Sequence, residues 1–321
     1  MDARETLVTG AKVLITGANG FVGKHLVRAI INCTDWEVVS LQRHAVPDAE
    51  SRVRSVYHDF RAPLSEELLA EIGSIDYIIH NGAEVHAIRS LTDPRSFVQS
   101  NTVGVFNMLE AARKLKVKKF LYTSSAEVFG AAQPGQAHVE DAPLNPSNPY
   151  SAAKAGGEML VKAYHRSFGL PTLIIRSMNM FGEHQDATKF VPMVVLHAMK
   201  GDTLNIHAGG QYLEDIGSRQ WIYITEYVRA LLFLLERGHA GEAYNVAGHE
   251  LNNGILVNLV MGCLNQNFDV KFVQAPKTHD LHYRISDEKY RALLPNPPDR
   301  DTFAEDFKRT VLWLKDHWKE L

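Results

Sequence analysis

The stretch that decides the fold is Lys12-Val-Leu-Ile-Thr-Gly17-Ala-Asn-Gly20-Phe-Val-Gly23, near the start of the chain. The β-branched run Lys12–Thr16 predicts a strand, and the amphipathic pattern of Phe21–Ile31 predicts a helix directly after it. The glycines have the spacing G-x-x-G-x-x-G. A glycine turn between a strand and a helix lets backbone N–H groups approach a pyrophosphate at the positive end of the helix. The stretch therefore indicates a dinucleotide site rather than a tight turn alone.

The alternation of strand and helix continues through the first half of the chain. Further strands are predicted at Glu37–Leu41, Arg54–Tyr57, Asp76–His80, Lys119–Thr123 and Thr172–Arg176. Further helices are predicted at Ser65–Ile72, Phe97–Leu115, Pro149–Phe168 and Phe303–Lys319. This order favours an α/β fold, a Rossmann-type doubly wound parallel sheet, with a smaller α/β C-terminal lobe. We expect a Rossmann domain over residues 1–177 and an interleaved lobe over residues 178–321, with strands near 220–248 (Gln220–Ile224 and Ala243–Val246) returning to the main sheet.

Composition excludes several classes of protein. The net charge of −3 provides no basic patch for nucleic acid. No apolar run approaches the ~20 residues that span a bilayer, and Met1–Gly10 lacks the pattern of a secretory signal. Cys33 and Cys263 stand alone, which argues against a disulfide framework or a cysteine metal site. We therefore expect a cytoplasmic protein, and the 15 histidines, including the pairs His80/His86 and His279/His282, are expected to hold no metal.

The ends of the second and third predicted strands bear on the choice of dinucleotide. Gln42-Arg43-His44 stands where NAD-binding proteins usually carry an acidic residue for the adenosine ribose. Arg43 is able to pair with a 2′-phosphate, which slightly favours NADP over NAD, although a solvated loop arginine explains it too. Asp59 is a candidate acceptor for the adenine amino group, or alternatively a loop-capping residue.

The most informative segment is Asn148-Pro149-Tyr150-Ser151-Ala152-Ala153-Lys154. Asn148 and Pro149 are typical of a helix start, so Tyr150 and Lys154 share one helical face at i and i+4. A nearby ammonium and an oxidised nicotinamide ring favour the phenolate and are expected to lower the pKa of Tyr150. Tyr150 is then predicted to take the proton of a substrate hydroxyl while hydride leaves for the cofactor.

A second polar element, Ser124-Ser125-Ala126-Glu127, follows the fifth predicted strand. Ser125 is placed to share the hydrogen bond of the substrate hydroxyl with Tyr150. Simple hydride transfer needs no carboxylate, whereas a buried Glu127 beside a keto sugar suits removal of an acidified C–H proton. The alternative for Glu127, a helix cap or salt-bridge carboxylate, is the less favoured interpretation.

Together these motifs resemble the extended short-chain dehydrogenase/reductase family and, within it, the nucleotide-sugar 4,6-dehydratases. The resemblance runs from Lys12 to about Trp318 and includes the loop after the fourth strand and the run Arg176–Gly182. Motifs and resemblance together give the candidate cofactor contacts Gly17, Asn19, Gly20, Phe21, Val22, Gly23, Gln42, Arg43, Asp59, Phe60, Asn81, Ala83, Asn101, Ser124, Tyr150 and Lys154. The resemblance implies the substrate contacts Glu84, His86, Arg89, Asn179, Lys189, Phe190, Arg219, Asn245 and His282.

The reaction implied is oxidation of a nucleotide sugar at C4, loss of water across C5–C6 and return of the hydride to C6. The catalytic residues expected are Tyr150, Lys154, Ser125 and Glu127, acting with a tightly held NAD or NADP in a homodimer. A 4-epimerase of the same family needs no Glu127, and a UDP-glucuronate-type decarboxylase needs a further cation such as Arg89. A non-catalytic dinucleotide-binding regulator, the remaining alternative, has no need of Tyr150, Lys154 and Glu127 in combination.

The chain departs from the dTDP-glucose dehydratase pattern in three places. Ala126 stands where those enzymes carry the acid that helps the C6 hydroxyl leave, so Glu127 is expected to supply that proton. Gln42-Arg43-His44 again resembles NADP-using GDP-mannose dehydratases. The loop Gly209–Arg219, with Glu214 and Asp215, is longer than the family pattern and leaves the base and the sugar open.

Overall fold

The computed structural model describes residues 9–44, 50–133, 135–209, 216–275, 280, 282–295 and 302–319. The chain divides into two compact units. The first contains Met1–Val128, Leu144–Arg176 and Val228–Tyr244, and the second contains Phe129–Pro143, Ser177–Tyr227 and Asn245–Leu321. The chain passes from one unit to the other several times, and one of these crossings falls between Arg176 and Ser177.

A seven-stranded sheet forms the centre of the first unit. Its strands are β1 (Lys12–Thr16), β2 (Glu37–Gln42), β3 (Val53–Tyr57), β4 (Tyr77–His80), β5 (Lys119–Thr123), β6 (Thr172–Ser177) and β10 (Ala243–Val246). The spatial order is β10-β6-β5-β4-β1-β2-β3, and the pairings from β3 to β6 are parallel. The predicted Rossmann-type sheet is therefore confirmed. Because the strands run in one direction, their carboxyl ends at Thr16, His80 and Thr123 lie along one edge.

The helices of this unit cover the sheet with apolar faces. They are α1 (Phe21–Cys33), α2 (Glu66–Ile72), α3 (Ala87–Thr92), α4 (Pro94–Val98), α5 (Gly104–Leu115), α6 (Pro149–Phe168) and the greater part of α8 (Ile224–Arg237). Leu14, Ile78, Phe120 and Ile174 of four neighbouring strands are almost completely buried in one cluster with Met108 of α5. Burial on both faces explains why these strands form continuous apolar runs rather than alternating ones.

The single helix predicted over Phe97–Leu115 is wrong in detail. The segment contains the end of α4, a π-helical turn at Gln99–Val103, and then α5. Gly104 lies at the junction between the π-helical turn and α5. A larger residue does not fit there, because a Cβ would lie 2.6 Å from the ring of Phe60. Hydrophobic periodicity does not register one wide turn, because the apolar face continues on both sides of it.

The second unit contains two small sheets. The strands β7 (Asn179–Phe181), β9 (Ser218–Tyr223) and β11 (His249–Asn252) form the first, in the order β11-β9-β7, and β8 (Leu204–Ala208) pairs in parallel with β12 (Val270–Gln274). Its helices are α7 (Phe190–Lys200), α9 (Asn253–Leu264), α10 (Glu288–Arg291) and α11 (Phe303–His317). Of the two strands expected to return to the main sheet, Ala243–Val246 does so as β10. Gln220–Ile224 does not, because β9 pairs with β7 and β11 instead.

Within the described ranges, no helix has the length and hydropathy required to cross a bilayer. The same ranges contain no group of three or more His, Cys, Asp or Glu residues arranged to hold a metal ion. His279 and the loop residues Glu214 and Asp215, which the sequence singled out, lie outside the described residues.

Candidate functional site

The glycine turn connects β1 to α1 and leaves the helix start open. Gly17 has φ +70°, a backbone conformation that residues other than glycine adopt with difficulty. The Gly20 N–H donates to the Gly17 carbonyl at 3.0 Å. A Cβ on Gly23 would lie 2.1 Å from that carbonyl oxygen, and a Cβ on Gly17 would lie 2.8 Å from Cα of Gly82. Among the described residues no side chain caps α1. The turn thus packs against its own helix and the loop after β4, and it leaves the first N–H groups of α1 for an anion.

A cleft of about 260 Å³ continues from the glycine turn along the ends of β2 and β3. Gln42 is 8% exposed, receives a hydrogen bond from the Asn19 amide, and donates to Ser55 Oγ at 2.6 Å. Arg43 is exposed at the cleft wall. This end of the cleft therefore presents a neutral carboxamide and a cation where many NAD-binding proteins present a carboxylate.

Asp59 and Phe60, both expected to contact the cofactor, also line this cleft. Arg61 donates from Nε to both Asp59 carboxylate oxygens at 3.0 and 2.9 Å, and this hydrogen bonding holds the pKa of Asp59 below its ordinary value. The Phe60 ring packs closely against both Gly82 and Gly104. A Cβ on either glycine would lie 2.6 Å from the ring. Phe60 therefore spaces the loop after β4 from the start of α5, in addition to forming part of the cleft wall.

The residues present fit a dinucleotide. The uncapped start of α1 and the glycine turn suit a pyrophosphate. Ser124 Oγ, beyond the end of β5, is a buried hydroxyl with no hydrogen-bond partner among the described residues. Because buried polar atoms are normally hydrogen-bonded, this hydroxyl has capacity for a polar group of a ligand. These observations come from the first unit alone.

Tyr150 and Lys154 lie on α6, whose start is fixed by its own sequence. The Asn148 side chain accepts from the Ser151 N–H at 2.9 Å, the Ser151 hydroxyl accepts from the Asn148 N–H at 3.2 Å, and Pro149 occupies the first turn. This capping box sets the register of the helix. The predicted sharing of one helical face by Tyr150 and Lys154 therefore follows from a helix start that the sequence itself encodes.

Ser125 and Glu127 approach Tyr150 from the turn after β5. The Ser125 hydroxyl is hydrogen-bonded to the Tyr150 phenol and accepts from the Glu127 N–H at 3.2 Å. Burial raises the pKa of Tyr150, and the negative charge of Glu127 raises it further, while the Ser125 hydrogen bond opposes the rise. The residues present thus act against the sequence prediction of a lowered Tyr150 pKa. The structure nonetheless joins the Ser125 hydroxyl to the Tyr150 phenol and brings the charge of Glu127 near enough to act on that phenol.

Lys154 is buried beneath this group, with 3% of its surface exposed. Its Nζ donates to the Thr123 carbonyl at 2.6 Å and lies 4.3 Å from the centre of the Tyr122 ring. Burial lowers the pKa of Lys154 to about 7, and the carboxylate of Glu158 opposes that shift. Lys154 is therefore close to its titration point at neutral pH.

The loop after β4 contains several expected ligand contacts, and Asn101 holds it. The Asn101 carboxamide accepts from the Glu84 N–H and donates to the Glu84 carbonyl, both at 2.9 Å. Asn101 is 1% exposed, and both of these bonds reach the loop backbone. Its side chain thus fixes the position of Glu84, and a direct contact with the cofactor stays a prediction.

Other residues of the same loop stay closer to the surface. Glu84 and Arg89 form an ion pair, and the Arg89 guanidinium lies 5.2 Å from the centre of the Phe97 ring. The Phe97 ring meets the Tyr150 ring edge-on at 6.1 Å. His86 has φ +96°, a backbone conformation that costs energy for a residue with a side chain. Asn81 accepts a long hydrogen bond of 3.4 Å from Thr123 Oγ1, and Ala83 lines the cleft.

The second unit contains the remaining expected substrate contacts. In two of them, Asn245 and Arg219, the side-chain donors are hydrogen-bonded to backbone carbonyls. Asn245 is completely buried, and its amide donates to the carbonyls of His138 and Ser286 at 3.1 Å each. Arg219 is 7% exposed, donates to the Ser218 carbonyl at 2.8 Å and to that of Asp280, and lies over the Tyr283 ring. The Asn245 amide N–H groups thus hold two chain segments together, a use other than the direct substrate contact predicted for this residue.

The other four expected contacts of this unit keep some exposure. Asn179 begins β7, and Lys189 and Phe190 begin α7, with Phe190 packing against the Trp221 ring at 5.8 Å. His282 Nδ1 lies 3.2 Å from Ser218 Oγ. All four side chains are partly exposed, so they stay available for a ligand.

Sequence reasoning missed residues that act one layer below the candidate site. Thr16 Oγ1 accepts from the Gly82 N–H at 2.9 Å and lies 2.8 Å from His80 Nδ1. Burial, with a further effect of the nearby Lys154 charge, lowers the pKa of His80 to about 3, so its ring stays neutral. Glu158 was missed as well. The sequence does contain a signal for Glu158, because Tyr150, Lys154 and Glu158 follow one another at i, i+4 and i+8.

The chain matches a known family over most of its length. Residues 13–247 match the model of the NAD dependent epimerase/dehydratase family. The dTDP-glucose 4,6-dehydratase of Haemophilus influenzae is 31% identical over 333 residues, covering 94% of this chain and 97% of that protein. The crystal structure of a dTDP-glucose 4,6-dehydratase from Streptomyces venezuelae with NAD bound has 30% identity and a TM-score of 0.87, over 96% of this chain and 98% of that one. A UDP-glucuronic acid 4-epimerase from Bacillus cereus, at 23% identity and a TM-score of 0.85 over 95% of this chain and 99% of that one, shares the fold.

Proposed function

Because the chain belongs to the NAD-dependent epimerase/dehydratase family, we propose that it is a nucleotide-sugar 4,6-dehydratase. The observation that carries this proposal is that, after β5, the Glu127 N–H bonds to the Ser125 hydroxyl while the charge of Glu127 acts on the Tyr150 phenol. Oxidation and reduction at C4 alone need the phenol and the hydroxyl. A carboxylate at the same place supplies the separate base that elimination requires.

Tyr150 acts as its phenolate, which the hydrogen bond from Ser125 stabilises, and it becomes a neutral phenol as it takes the proton of the C4 hydroxyl. Bound NAD supplies the acceptor for the C4 hydride and, in its oxidised form, a positive charge that favours the phenolate. Since burial and Glu127 raise the pKa of Tyr150 in the protein by itself, the phenol becomes an effective base only when such a positive charge is added. Tyr150 is thereby restricted to acting when the oxidised cofactor is in place.

Glu127 removes the C5 proton once the ketone at C4 has made it acidic. The same proton is returned to the C6 oxygen, which leaves as water. The hydride then comes back to C6 and C5 gains a proton from water through Glu127, while Tyr150 releases to water the proton that it took. Ala126, beside it, is 1% exposed and offers no proton. Glu127 therefore serves as both base and acid in this proposal, and the cofactor ends in the form in which it began.

The test is mass spectrometry of hexose nucleotides after incubation with the protein, beginning with dTDP-glucose because the relatives act on it. We expect loss of one water and accumulation of a 4-keto product. Glu127→Gln is expected to permit reduction of the cofactor but to stop the loss of water. Failure of every hexose nucleotide to lose water contradicts the proposal, and inversion at C4 without loss of water identifies an epimerase.

We further propose a set of substrate contacts within each unit, taken by itself. Glu84, His86 and Arg89 of the loop after β4, together with Asn179, Lys189, Phe190, Arg219 and His282, are the candidate contacts. Support comes from their partial exposure, apart from Arg219, which is nearly buried. The identity of base and sugar is tested by the same screen, since each relative is named for its own nucleotide sugar.

We infer a homodimer formed through α5 and α6. Phe106 of α5 is 43% exposed and Met159 and Phe168 of α6 are 46% and 57% exposed, and Phe106 and Phe168 both pack against the Tyr164 ring. Exposed apolar side chains on two neighbouring helices favour burial against a second copy. Light scattering is expected to give a dimer for the wild type and a monomer for Phe106→Glu/Met159→Glu; a monomeric wild type contradicts the inference. The cytoplasmic location stays a prediction.

A further inference from the structure

The ion pair of Arg176 and Glu158 lies in the core of the first unit and has no part in the steps proposed above. Both side chains are completely buried. Arg176 Nε donates to the two Glu158 oxygens at 2.9 and 3.2 Å, and Nη2 donates to Oε2 at 2.7 Å. Removing two charges from water is costly, and an apolar pair of similar volume often stabilises a core equally well. The presence of a charged pair here therefore calls for a role other than stability.

The position of Glu158 on α6 indicates that role. Tyr150, Lys154 and Glu158 follow one another at intervals of four residues, so they share one face of the helix. Neighbouring Cβ atoms at this spacing are about 5–6 Å apart. Arg176 belongs to β6 and reaches α6 at Glu158. Of the two charges of the ion pair, that of Glu158 is the one that acts on Lys154.

Lys154 is surrounded mainly by neutral groups. Its Nζ contacts the Thr123 carbonyl and the face of the Tyr122 ring, both from β5. Burial raises the pKa of Tyr122 and lowers that of His80 of β4 to about 3, so neither carries charge at neutral pH. Burial likewise lowers the pKa of Lys154 to about 7, and Glu158 is the group that opposes this change.

We propose that the Arg176–Glu158 pair is a fixed dipole whose negative end keeps Lys154 protonated inside the protein. Arg176 holds the Glu158 carboxylate in one orientation through three hydrogen bonds. Glu158 and Arg176 are positioning residues that act through Lys154 and do not touch the reacting atoms. The catalytic value of this charge rests on the proposed function of Tyr150 and Lys154, whereas the charge itself is a property of the folded protein.

The direct test is a titration of the Lys154 amino group by ¹⁵N NMR on the full chain with labelled lysine. Lys154→Met identifies the signal by its loss. Glu158→Gln is expected to move the midpoint of Lys154 to lower pH by about one pH unit or more, because an opposite charge at this range has effects of that size. Arg176→Lys keeps the cation and is expected to leave the midpoint close to that of the wild type.

A second variant keeps the test decisive if Glu158→Gln does not fold, because that variant leaves Arg176 buried without a partner. Glu158→Gln/Arg176→Met removes both charges, and its Lys154 midpoint is expected to lie between those of Glu158→Gln and the wild type. Where the single variant does not fold, a double-variant midpoint below that of the wild type still supports the proposal. Glu110→Gln makes the same chemical change on α5, at a carboxylate bound to Arg113 and Tyr164, and is expected to leave Lys154 unchanged. A Lys154 midpoint that is the same in the wild type and in the folded Glu158 variants overturns the proposal.

The titration needs no substrate, so it separates this inference from the proposed dehydratase activity. With a substrate in hand, Glu158→Gln is expected to lower kcat and to move the basic limb of its pH profile to lower pH, with little change in KM. A shifted Lys154 midpoint in a protein that dehydrates no hexose nucleotide supports the dipole and contradicts the proposed function. Dehydration by a protein whose Lys154 midpoint does not respond to Glu158 supports the proposed function and contradicts the dipole.

Discussion

The two compact units use their motif residues in different ways. In the first unit Tyr150 stays partly exposed and is hydrogen-bonded to Ser125, so groups predicted to act on a ligand do meet. In the second unit Asn245 is completely buried and Arg219 nearly so, and their donors are directed to backbone carbonyls. A motif whose backbone geometry is encoded locally therefore predicts where its side chains lie, whereas an isolated polar residue in an irregular segment is equally suited to hold the chain together.

The largest effect is expected from Tyr150→Phe, which tests the first side of this comparison. Loss of a general base typically lowers the rate by about 10²–10⁴-fold, and we expect kcat to fall within that range while the fold is kept. The matched control is Tyr164→Phe on the same helix, whose hydroxyl is bound to Glu110. Steady-state kinetics of both variants decide the point. Equal losses in the two variants contradict the role given to Tyr150.

Lys154 provides a test through pH. An unfolded lysine titrates near ~10.4, whereas burial lowers the pKa of Lys154 to about 7. Between these values the unfolded chain binds more protons than the folded one, so Lys154 destabilises the fold at pH 7 and this effect disappears as pH rises towards 10.

We therefore expect Lys154→Met to be inactive and, at pH 7, more stable than the wild type. The difference in free energy of unfolding is expected to narrow by on the order of 1 kcal/mol for each pH unit between 7 and 10. Urea unfolding at three pH values measures it. A difference that stays constant with pH contradicts a buried, titrating Lys154.

A smaller effect distinguishes Asn245 from Asn179 in the second unit. Asn245→Ala leaves two buried carbonyls without donors, so we expect the free energy of unfolding to fall by about 1–3 kcal/mol, with KM of the folded enzyme unchanged. Asn179→Ala, at a partly exposed position, is expected to raise KM with little change in stability. Denaturation curves and kinetics of both variants are needed. A raised KM for Asn245→Ala contradicts a purely structural use of the Asn245 side chain.

The smallest effect concerns the choice of dinucleotide. Arg43 lines the cleft beside a neutral Gln42, so we expect Arg43→Ala to weaken NADP binding about tenfold and to leave NAD binding unchanged. Arg28→Ala removes the same charge from the exposed face of α1 and serves as the control. Fluorescence titration gives both dissociation constants. Equal Kd values of the wild type and Arg43→Ala for NADP contradict a contact of Arg43 with the 2′-phosphate.

Much of the first unit is predictable because its signals are local. The strand Lys12–Thr16 and the helix Pro149–Phe168 match the structure residue for residue. Each is bounded by chemistry written beside it, the glycine turn in one case and the capping box in the other. Burial of the parallel strands on both faces adds continuous apolar runs that are easily recognised.

The remainder depends on partners that are distant in sequence. The π-helical turn at Gln99–Val103 contains Asn101, whose side chain bonds to the backbone of Glu84. The apolar periodicity of the segment does not predict this contact or the wider turn. The strand near residue 220 is recognisable as a strand, but its pairing with β7 and β11 is not. Likewise, nothing local to Arg176 indicates that it pairs with Glu158 rather than with a ligand.

The central claim is that one protein group acts at C4 while a separate carboxylate, Glu127, acts at C5. The most direct measurement is the reaction of dTDP-glucose in D₂O, with the product examined by ¹H NMR. We predict one deuterium at C5 in the wild-type product, and reduced cofactor without deuterium at C5 in Glu127→Gln. A product that keeps its original C5 hydrogen, or exchange at C5 that continues unchanged in Glu127→Gln, contradicts it.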